Sequence, residues 1–310
     1  RDFAAICRVV NGMKRFTIGC IGARTTAFKT TRFDEIGLQK NGITVEAFDL
    51  SEVFYKVNAK EDNDPAVLAK KESLENYTDF SNVPEDKKIM LSKISVVIDE
   101  YVEEYHLDAL TIRCWNEMET ILRVCPCVLL SELNDRGIAT SCEIDLTSAI
   151  SMRAMQLASE QPTAVLDWNN NYGDAEDKLI LFHCGSCAQS LMTKKGTVTS
   201  HKMFDKGDPG SGWGTNEGRI RPFKTTISNC LTVDGKIKIY ASEAEFTDDP
   251  IEDAYFGCAG VCQIPNMEDK MIRLARGGFK HHTCVGVGHM KDILKEAFTT
   301  YLGYEWVDID

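Results

Sequence analysis

The chain has 310 residues, with 35 basic and 47 acidic side chains and a net charge of −12. Because no cluster of Lys and Arg follows one predicted face, this balance excludes nucleic acid and anionic membrane as expected partners. No uninterrupted apolar run approaches the ~18 residues that a membrane-spanning helix needs. The 12 cysteines lie mostly in apolar segments, so we expect reduced thiols in a cytoplasmic protein.

Strand and helix patterns alternate through residues 1–160. Predicted strands at 15–22 and 42–49 flank an amphipathic segment at 33–40, which is the pattern of a βαβ unit with parallel strands. The remaining elements predicted here are helices at 65–74, 87–105, 118–124, 128–134 and 146–157 and strands at 110–114 and 137–142. This order predicts a doubly wound α/β domain whose ligand lies outside the carboxyl ends of the strands.

Short strands separated by Gly, Asp and Asn dominate residues 161–310, which is typical of an antiparallel barrel or sandwich. They are predicted at 164–167, 179–183, 225–231, 236–241 and 283–287. Five glycines surround Trp213 between residues 207 and 218. Such a segment is either a mobile surface connection or a lid over a cleft. A helix at 290–301 and a strand at 305–307 complete the predicted elements.

Two carboxylates follow apolar strand patterns at a spacing of 24 residues, Glu143 and Asp167. Two acids brought into one cleft by strand ends can share a divalent metal ion, and His183 and His282 follow similar apolar segments. The alternative is that Glu143 caps a helix and Asp167 begins a turn. No G-x-S-x-G elbow or phosphate-binding loop is present, so serine-esterase and nucleotide-hydrolase chemistry has no support in the sequence.

The same residues carry a family resemblance. The order and spacing of the segments at 109–115, 142–145, 166–167, 182–185, 281–282 and 288–289 resemble the L-fucose and L-arabinose isomerase superfamily, more closely the fucose branch. The resemblance implies a Rossmann-like domain over residues 1–160, the family's middle domain, and a β-barrel-like C-terminal domain over 161–310. The family's N-terminal domain has no counterpart in the chain.

By position, the family's metal ligands fall on Glu143, Asp167 and His282, and the implied ion is Mn²⁺ or another divalent cation such as Mg²⁺ or Co²⁺. Ile144 stands where glycine is common in the family. The implied reaction is an aldose–ketose isomerisation through a cis-enediol. In it a divalent metal ion acts as a Lewis acid, with Glu143 as the base and Asp167 as its acid/base partner.

Four further residues are candidates for metal or substrate binding: His183, Trp115, Trp168 and Asn169. His183 occupies a position that binds metal in the arabinose branch, whereas the tryptophans either stack on a sugar or pack in the core.

The expected ligand is a small sugar. We also expect the full-length protein to form a homo-oligomer and residues 1–310 alone to turn over sugar slowly. The alternatives are a metal-dependent hydrolase or aldolase, and a non-catalytic sugar-binding or regulatory relative.

Overall fold

The computed structural model describes residues 2–253 and 255–310 and shows a mixed α/β protein with two sheets. One sheet has four strands and the other has nine. The predicted α/β class is confirmed. Among the described residues, no helix has the length and apolar character needed to cross a bilayer.

The helices and strands follow one another closely along the chain. The α-helices are α1 Asp2–Lys14, α2 Glu35–Lys40, α3 Leu50–Ala59, α4 Pro65–Tyr77, α5 Glu85–Glu104, α6 Cys127–Asp135, α7 Leu146–Ser159, α8 Lys202–Asp205, α9 Met267–Arg276 and α10 Lys291–Glu296. The strands are β1 Phe16–Ile21, β2 Ile43–Phe48, β3 Ala109–Ile112, β4 Ala139–Cys142, β5 Thr163–Asn171, β6 Lys178–His183, β7 Thr197–Ser200, β8 Trp213–Arg219, β9 Phe223–Val233, β10 Lys236–Phe246, β11 Cys258–Gln263, β12 His282–Val287 and β13 Glu305–Trp306. Two π-helical segments are also present, Met118–Leu122 and Ala297–Leu302.

The four-stranded sheet has the order β2-β1-β3-β4, and its strands are all parallel. Its strands contribute to two separate core clusters, one shared with α1 and α7 and the other with α3 to α6. Parallel sheets are buried on both faces, and β3 and β4 are accordingly buried along their whole length. The predicted βαβ unit at the start of the chain is confirmed, while the Rossmann-like description remains a prediction.

The nine-stranded sheet has the order β13-β10-β9-β12-β5-β6-β11-β8-β7. Since β10 also pairs with β11, six of these strands form a closed ring of antiparallel pairings. The parallel pairs β10–β13 and β11–β8 make the sheet mixed. The barrel-like description of this part of the chain remains a prediction.

Helix α7 lies between the two sheets. It packs against β3 and β4 on one side and against β5, β9 and β12 on the other. Its apolar residues, such as Ile150, therefore belong to one core cluster with residues of both sheets, such as Ile18 of β1 and Val165 of β5. The division at residues 160 and 161 remains a prediction, because this shared cluster joins the two parts.

Several local expectations need correction. The glycine-rich segment 207–218 was predicted as a loop, but its second half is β8. Helix α3 was not predicted, although Val53 and Val57 are buried on one of its faces. Asp167 was expected at a strand end but lies inside β5, which continues to Asn171. Strands β7 and β11 and helix α9 were not predicted.

Candidate active site

Glu143 directly follows β4, at the carboxyl end of the parallel sheet. Both Glu143 and Ile144 have positive φ angles, 62° and 58°. This left-handed turn costs about 1–2 kcal/mol per residue without glycine, and for a β-branched residue such as Ile144 it is strained. It explains structurally why glycine suits the position after the glutamate. The Thr31 hydroxyl supports the turn by donating a hydrogen bond of 3.3 Å to the Glu143 carbonyl oxygen.

Strand pairing in the larger sheet brings Asp167 and His282 together. These residues are direct partners in the antiparallel β5–β12 pair, and directly opposed side chains on neighbouring strands are in contact distance. Asp167 also pairs with Phe182 of β6, so His183, the next residue, lies at the end of an adjacent strand. The nine-stranded sheet thus presents one carboxylate and two imidazoles toward Glu143.

His282 Nε2 lies close to two carboxylate oxygens at the point where the sheets meet. His282 Nε2 lies 3.1 Å from Glu143 Oε2 and 3.3 Å from Asp167 Oδ1. Both oxygens are buried and, among the described residues, neither has a well-formed hydrogen bond. Octahedral Mg²⁺ has bonds of about 2.0–2.1 Å, which places adjacent donors about 2.9 Å apart. Around His282, two groups of described residues have donor atoms close enough together to hold one ion: Glu143, His183 and His282, and Asp167, His281 and His282. His282 is common to both groups, so each of the two predicted carboxylate ligands fits a divalent cation together with His282.

Asp145 determines which nitrogen of His282 faces this point. Its Oδ2 lies 2.6 Å from His282 Nδ1, and an ionised carboxylate only accepts hydrogen bonds. His282 Nδ1 therefore donates its proton to Asp145, so Nε2 is the nitrogen that faces Glu143 and Asp167, and it offers a lone pair to a cation once it is deprotonated. Such carboxylate–histidine pairs orient metal ligands and increase their basicity. Lys280 forms an ion pair with the other oxygen of Asp145, which is completely buried.

In His183 the other ring nitrogen, Nε2, carries the proton. The backbone N–H of Cys184 donates a hydrogen bond of 2.9 Å to His183 Nδ1, so the proton of a neutral ring lies on Nε2. That nitrogen is 3.4 Å from Cys142 Sγ and 4.0 Å from Glu143 Oε2. A protonated Nε2 donates hydrogen bonds and does not bind a cation. In this tautomer Nε2 contacts Cys142 Sγ at hydrogen-bond distance, whereas its 4.0 Å separation from Glu143 Oε2 is too long for a hydrogen bond.

The electrostatics favour positive charge at this point. Burial lowers the pKa of His282, but Asp145 and Glu143 outweigh burial and raise it to about 10. Burial raises the pKa of Glu143, yet contacts with His282 and the charge of His183 hold it below its usual range. The pKa of Asp145 is also held well below its usual range, because Lys280 and His282 outweigh the effect of burial. The cluster therefore keeps its carboxylates ionised and has a negative potential around His282 Nε2.

Two aromatic residues from the first half of the chain hold and cover the cluster. Trp115, which follows β3, donates a hydrogen bond of 3.1 Å from Nε1 to Glu143 Oε1. Phe28 has its ring centre 5.6 Å from that of His282 and 5.9 Å from that of Trp115. Trp115 therefore fixes the carboxylate through its indole N–H, a contact that neither of its predicted roles included.

A cavity of 190 Å³ opens beside the cluster. Glu143, Asp167, His183 and Trp115 line it, but Trp168 and Asn169 do not. Trp168 packs against two small core clusters and Asn169 is exposed. His201 lines the cavity and is buried, although its sequence context gave no reason to select it. The structure thus brings together five of the seven candidate residues, since His282 belongs to the same cluster.

Sequence reasoning did not assign roles to Asp145, Lys280 and Phe28. The sequence did indicate a structural role for Asp145, because an aspartate directly before a helix is a common N-cap. Its Oδ1 accepts a hydrogen bond of 3.0 Å from the backbone N–H of Ser148. Its bond to His282 spans 137 residues of sequence and has no local signal. The same holds for Phe28, which lies in an irregular segment far from the other site residues in the sequence.

Comparison with known proteins supports the predicted resemblance. Residues 181–310 match the family described as L-fucose isomerase, C-terminal domain. A sulfoquinovose isomerase of Priestia aryabhattai is 22% identical over 294 residues, which cover 94% of this chain and 64% of that protein. The sulfoquinovose isomerase of Clostridium sp. is 29% identical over 150 residues, 48% of this chain and 33% of the relative. That of Alkalicoccus urumqiensis is 27% identical over 183 residues, 59% and 41% of the two chains. The chain thus spans less than two thirds of the length of these relatives.

Proposed function

The chain belongs to the fucose isomerase-like superfamily, and from that premise we propose that it carries the active site of a metal-dependent aldose–ketose isomerase. The observation that carries this proposal is that two carboxylate oxygens, Glu143 Oε2 and Asp167 Oδ1, lie 3.1 and 3.3 Å from His282 Nε2. Relatives named as isomerases along 94% of the chain support the reaction class. The convergent carboxylates also argue against a non-catalytic sugar-binding relative, which has no need of such a cluster.

Glu143, Asp167 and His282 would hold the cation. When bound, Mn²⁺ or another divalent ion supplies a Lewis acid that stabilises negative charge on the two sugar oxygens. Such a site suits hard cations with oxygen and imidazole ligands. The finer points, namely the identity of the ion and the roles of individual residues, are part of this proposal.

The protein side chains then move the proton. In the isomerisation, a base removes the proton from C2 of the aldose and returns it to C1 of the ketose through a cis-enediol. We assign the base to Glu143 and the acid/base partner to Asp167, as the family resemblance implies. Trp115 keeps one Glu143 oxygen oriented through its 3.1 Å hydrogen bond. Asp167 is more accessible than Glu143, with a quarter of its side chain exposed, and therefore reaches solvent to exchange protons.

The substrate is a small sugar. The superfamily resemblance points to an uncharged aldose such as a deoxyhexose, whereas the names of the relatives indicate a sugar that carries a sulfonate. The homo-oligomeric state of the full-length protein is likewise part of the proposal.

The test is ketose formation by the full-length protein with L-fucose, L-arabinose, D-arabinose and sulfoquinovose, each with Mn²⁺, Mg²⁺ or Co²⁺ and after chelation. We expect at least one sugar to react, and Glu143→Gln to lower kcat by about 10²- to 10⁴-fold, the typical loss for a general base. The far-UV circular dichroism spectrum should not change, since glutamine preserves the volume. Unchanged turnover in Glu143→Gln or after chelation would refute the assignment, and His106→Asn provides an exposed control.

A further inference from the structure

Glu119 is a buried acid in the same cavity that neither the sequence nor the reaction accounts for. It belongs to the π-helical segment Met118–Leu122, four residues after Trp115. Only 3% of its surface is exposed, and it lines the cavity together with Glu143 and Asp167. π-Helical turns are rare and frequently occur at functional sites.

Neither oxygen of Glu119 has a hydrogen-bond partner among the described residues. By contrast, Glu117, which directly precedes this segment, forms an ion pair of 2.6 Å with Arg113. Buried polar groups are nearly always satisfied, and an exception calls for an explanation such as a ligand or water. Burial raises the pKa of Glu119 to about 8, opposed by the residue's own backbone N–H and aided by weaker repulsion from Glu117. An uncharged carboxyl both donates and accepts a hydrogen bond, which is the combination that a sugar hydroxyl requires.

The cavity around Glu119 has no unpaired cation among the described residues that line it, because His183 faces Glu143 at 4.0 Å and burial lowers the pKa of His201 to about 4. Of the described residues that line it, none is Lys or Arg. Its neighbours there are thiols and aromatic rings, including Cys125, Cys127 and Phe204. A sulfonate carries a full negative charge, and a buried charge without a partner is strongly disfavoured. Glu119 itself, whether neutral or ionised, cannot pair with such an anion.

We propose that Glu119 is a specificity-determining residue that exchanges hydrogen bonds with a hydroxyl group of an uncharged aldose and disfavours a sugar that carries a sulfonate. This inference rests on the proposed isomerase function and names the substrate class within it.

The experiment compares Glu119→Gln with Glu119→Leu in the full-length protein loaded with Mn²⁺. Glutamine keeps a donor and an acceptor, so KM for the best uncharged aldose should stay within about threefold of the wild-type value. Leucine removes both, so KM should rise about tenfold. Because leucine also removes an unpaired buried carboxyl group, the melting temperature of this variant should rise. Glu117→Gln and Glu117→Leu are the controls, and neither should change KM.

Three outcomes decide the proposal. A folded Glu119→Leu protein with unchanged KM would overturn it, and Glu119→Met repeats the test if leucine prevents folding. A melting temperature that falls in both apolar variants would also overturn it, because it would assign the carboxyl group a structural role with bound water. A wild-type kcat/KM for sulfoquinovose equal to or above that for the uncharged aldoses would overturn the substrate class.

Different results are expected if the proposed isomerase function itself is wrong. If no sugar reacts, the isomerase function fails, while calorimetric titration with an uncharged alditol still tests Glu119 by binding alone. In that titration the leucine variant should bind the alditol about tenfold more weakly than the glutamine variant. Equal affinities would overturn the role of Glu119 independently of turnover.

Discussion

His282 and His183 lie in one cluster and differ in the ring nitrogen that carries the proton. Asp145 accepts from His282 Nδ1 and leaves Nε2 free, whereas the backbone N–H of Cys184 donates to His183 Nδ1 and leaves the proton on Nε2. Two residues of the same type thus acquire different chemistry from their second hydrogen-bond partners. The sequence allowed both to bind metal, and the hydrogen bonds favour His282.

Substitution of Asp145 by asparagine tests this assignment. The amide of asparagine can donate to Nδ1, which would move the ring proton to Nε2 and block the lone pair. We expect the affinity for Mn²⁺ to fall about 10- to 100-fold, the usual effect of removing such a partner. The fold should persist, because asparagine caps helix α7 as well as aspartate does. Calorimetric titration measures the affinity, and Asp174→Asn at an exposed turn is the control.

An unchanged affinity for Mn²⁺ in Asp145→Asn would contradict the role of Asp145. A loss of helical signal in the circular dichroism spectrum would instead assign the effect to the cap of α7. Lys280 pairs with the same carboxylate, so Lys280→Met should give a loss in the same direction.

At the scale of elements, the strongly periodic segments were predictable. The patterns around β1, β2, β3 and β4, and those of α5 and α7, predicted elements that the structure contains with boundaries displaced by at most two residues. These segments bury apolar side chains at regular spacing, so their local pattern and their tertiary environment agree. Glu143 was found for this reason, because it directly follows one of the buried strands.

Elements that depend on distant contacts were not predictable. Strand β8 contains two glycines and few apolar residues, and its backbone is held by the hydrogen bond from Cys125 N to Trp213 O, at 2.9 Å. Strand β11 consists mostly of small residues, and it is stabilised as a strand by its antiparallel pairing with β6. In both cases the partner strand, rather than the local propensity, determines the structure.

Gly257 gives a test of the contact between β6 and the segment before β11. Its φ is 74°, and a Cβ atom there would lie 2.4 Å from the carbonyl oxygen of His183. Gly235 has nearly the same φ, 75°, but no atom lies within 4 Å of its Cβ position. We expect Gly235→Ala to cost about 1–2 kcal/mol for the left-handed backbone alone. Gly257→Ala should cost more than that, by about 2 kcal/mol, because the clash forces backbone movement.

Urea unfolding of the two alanine variants measures the difference as a shift in midpoint at constant slope. Because the clash displaces His183, Gly257→Ala should also weaken binding in the cavity, which Gly235→Ala should leave intact. Equal destabilisation by the two substitutions would show that β6 accommodates the methyl group.

At the scale of the whole molecule, the site is built where the two sheets meet. Glu143, Trp115 and Phe28 come from the part of the chain that forms the parallel sheet, and Asp167 and His282 come from the nine-stranded sheet. The sequence identified the three proposed ligands from their spacing and family context. It could not identify their partners Asp145 and Phe28, because those contacts arise only when α7 packs against both sheets.

A cation held by residues from both parts of the chain should stabilise the whole fold. A ligand that binds only the native state adds RT ln(1 + [L]/Kd) to stability, about 2.7 kcal/mol at 100 times the dissociation constant. We therefore expect Mn²⁺ to raise the unfolding midpoint in a concentration-dependent manner, and EDTA to reverse the effect.

His282→Ala should abolish the increase, while His106→Asn, at an exposed residue, should retain it. Because Glu143 follows the parallel sheet and Asp167 lies in the nine-stranded sheet, Glu143→Gln and Asp167→Asn should each reduce the increase. A midpoint that rises equally in wild type and His282→Ala would mean that Mn²⁺ binds elsewhere, and would contradict a metal site shared by the two sheets.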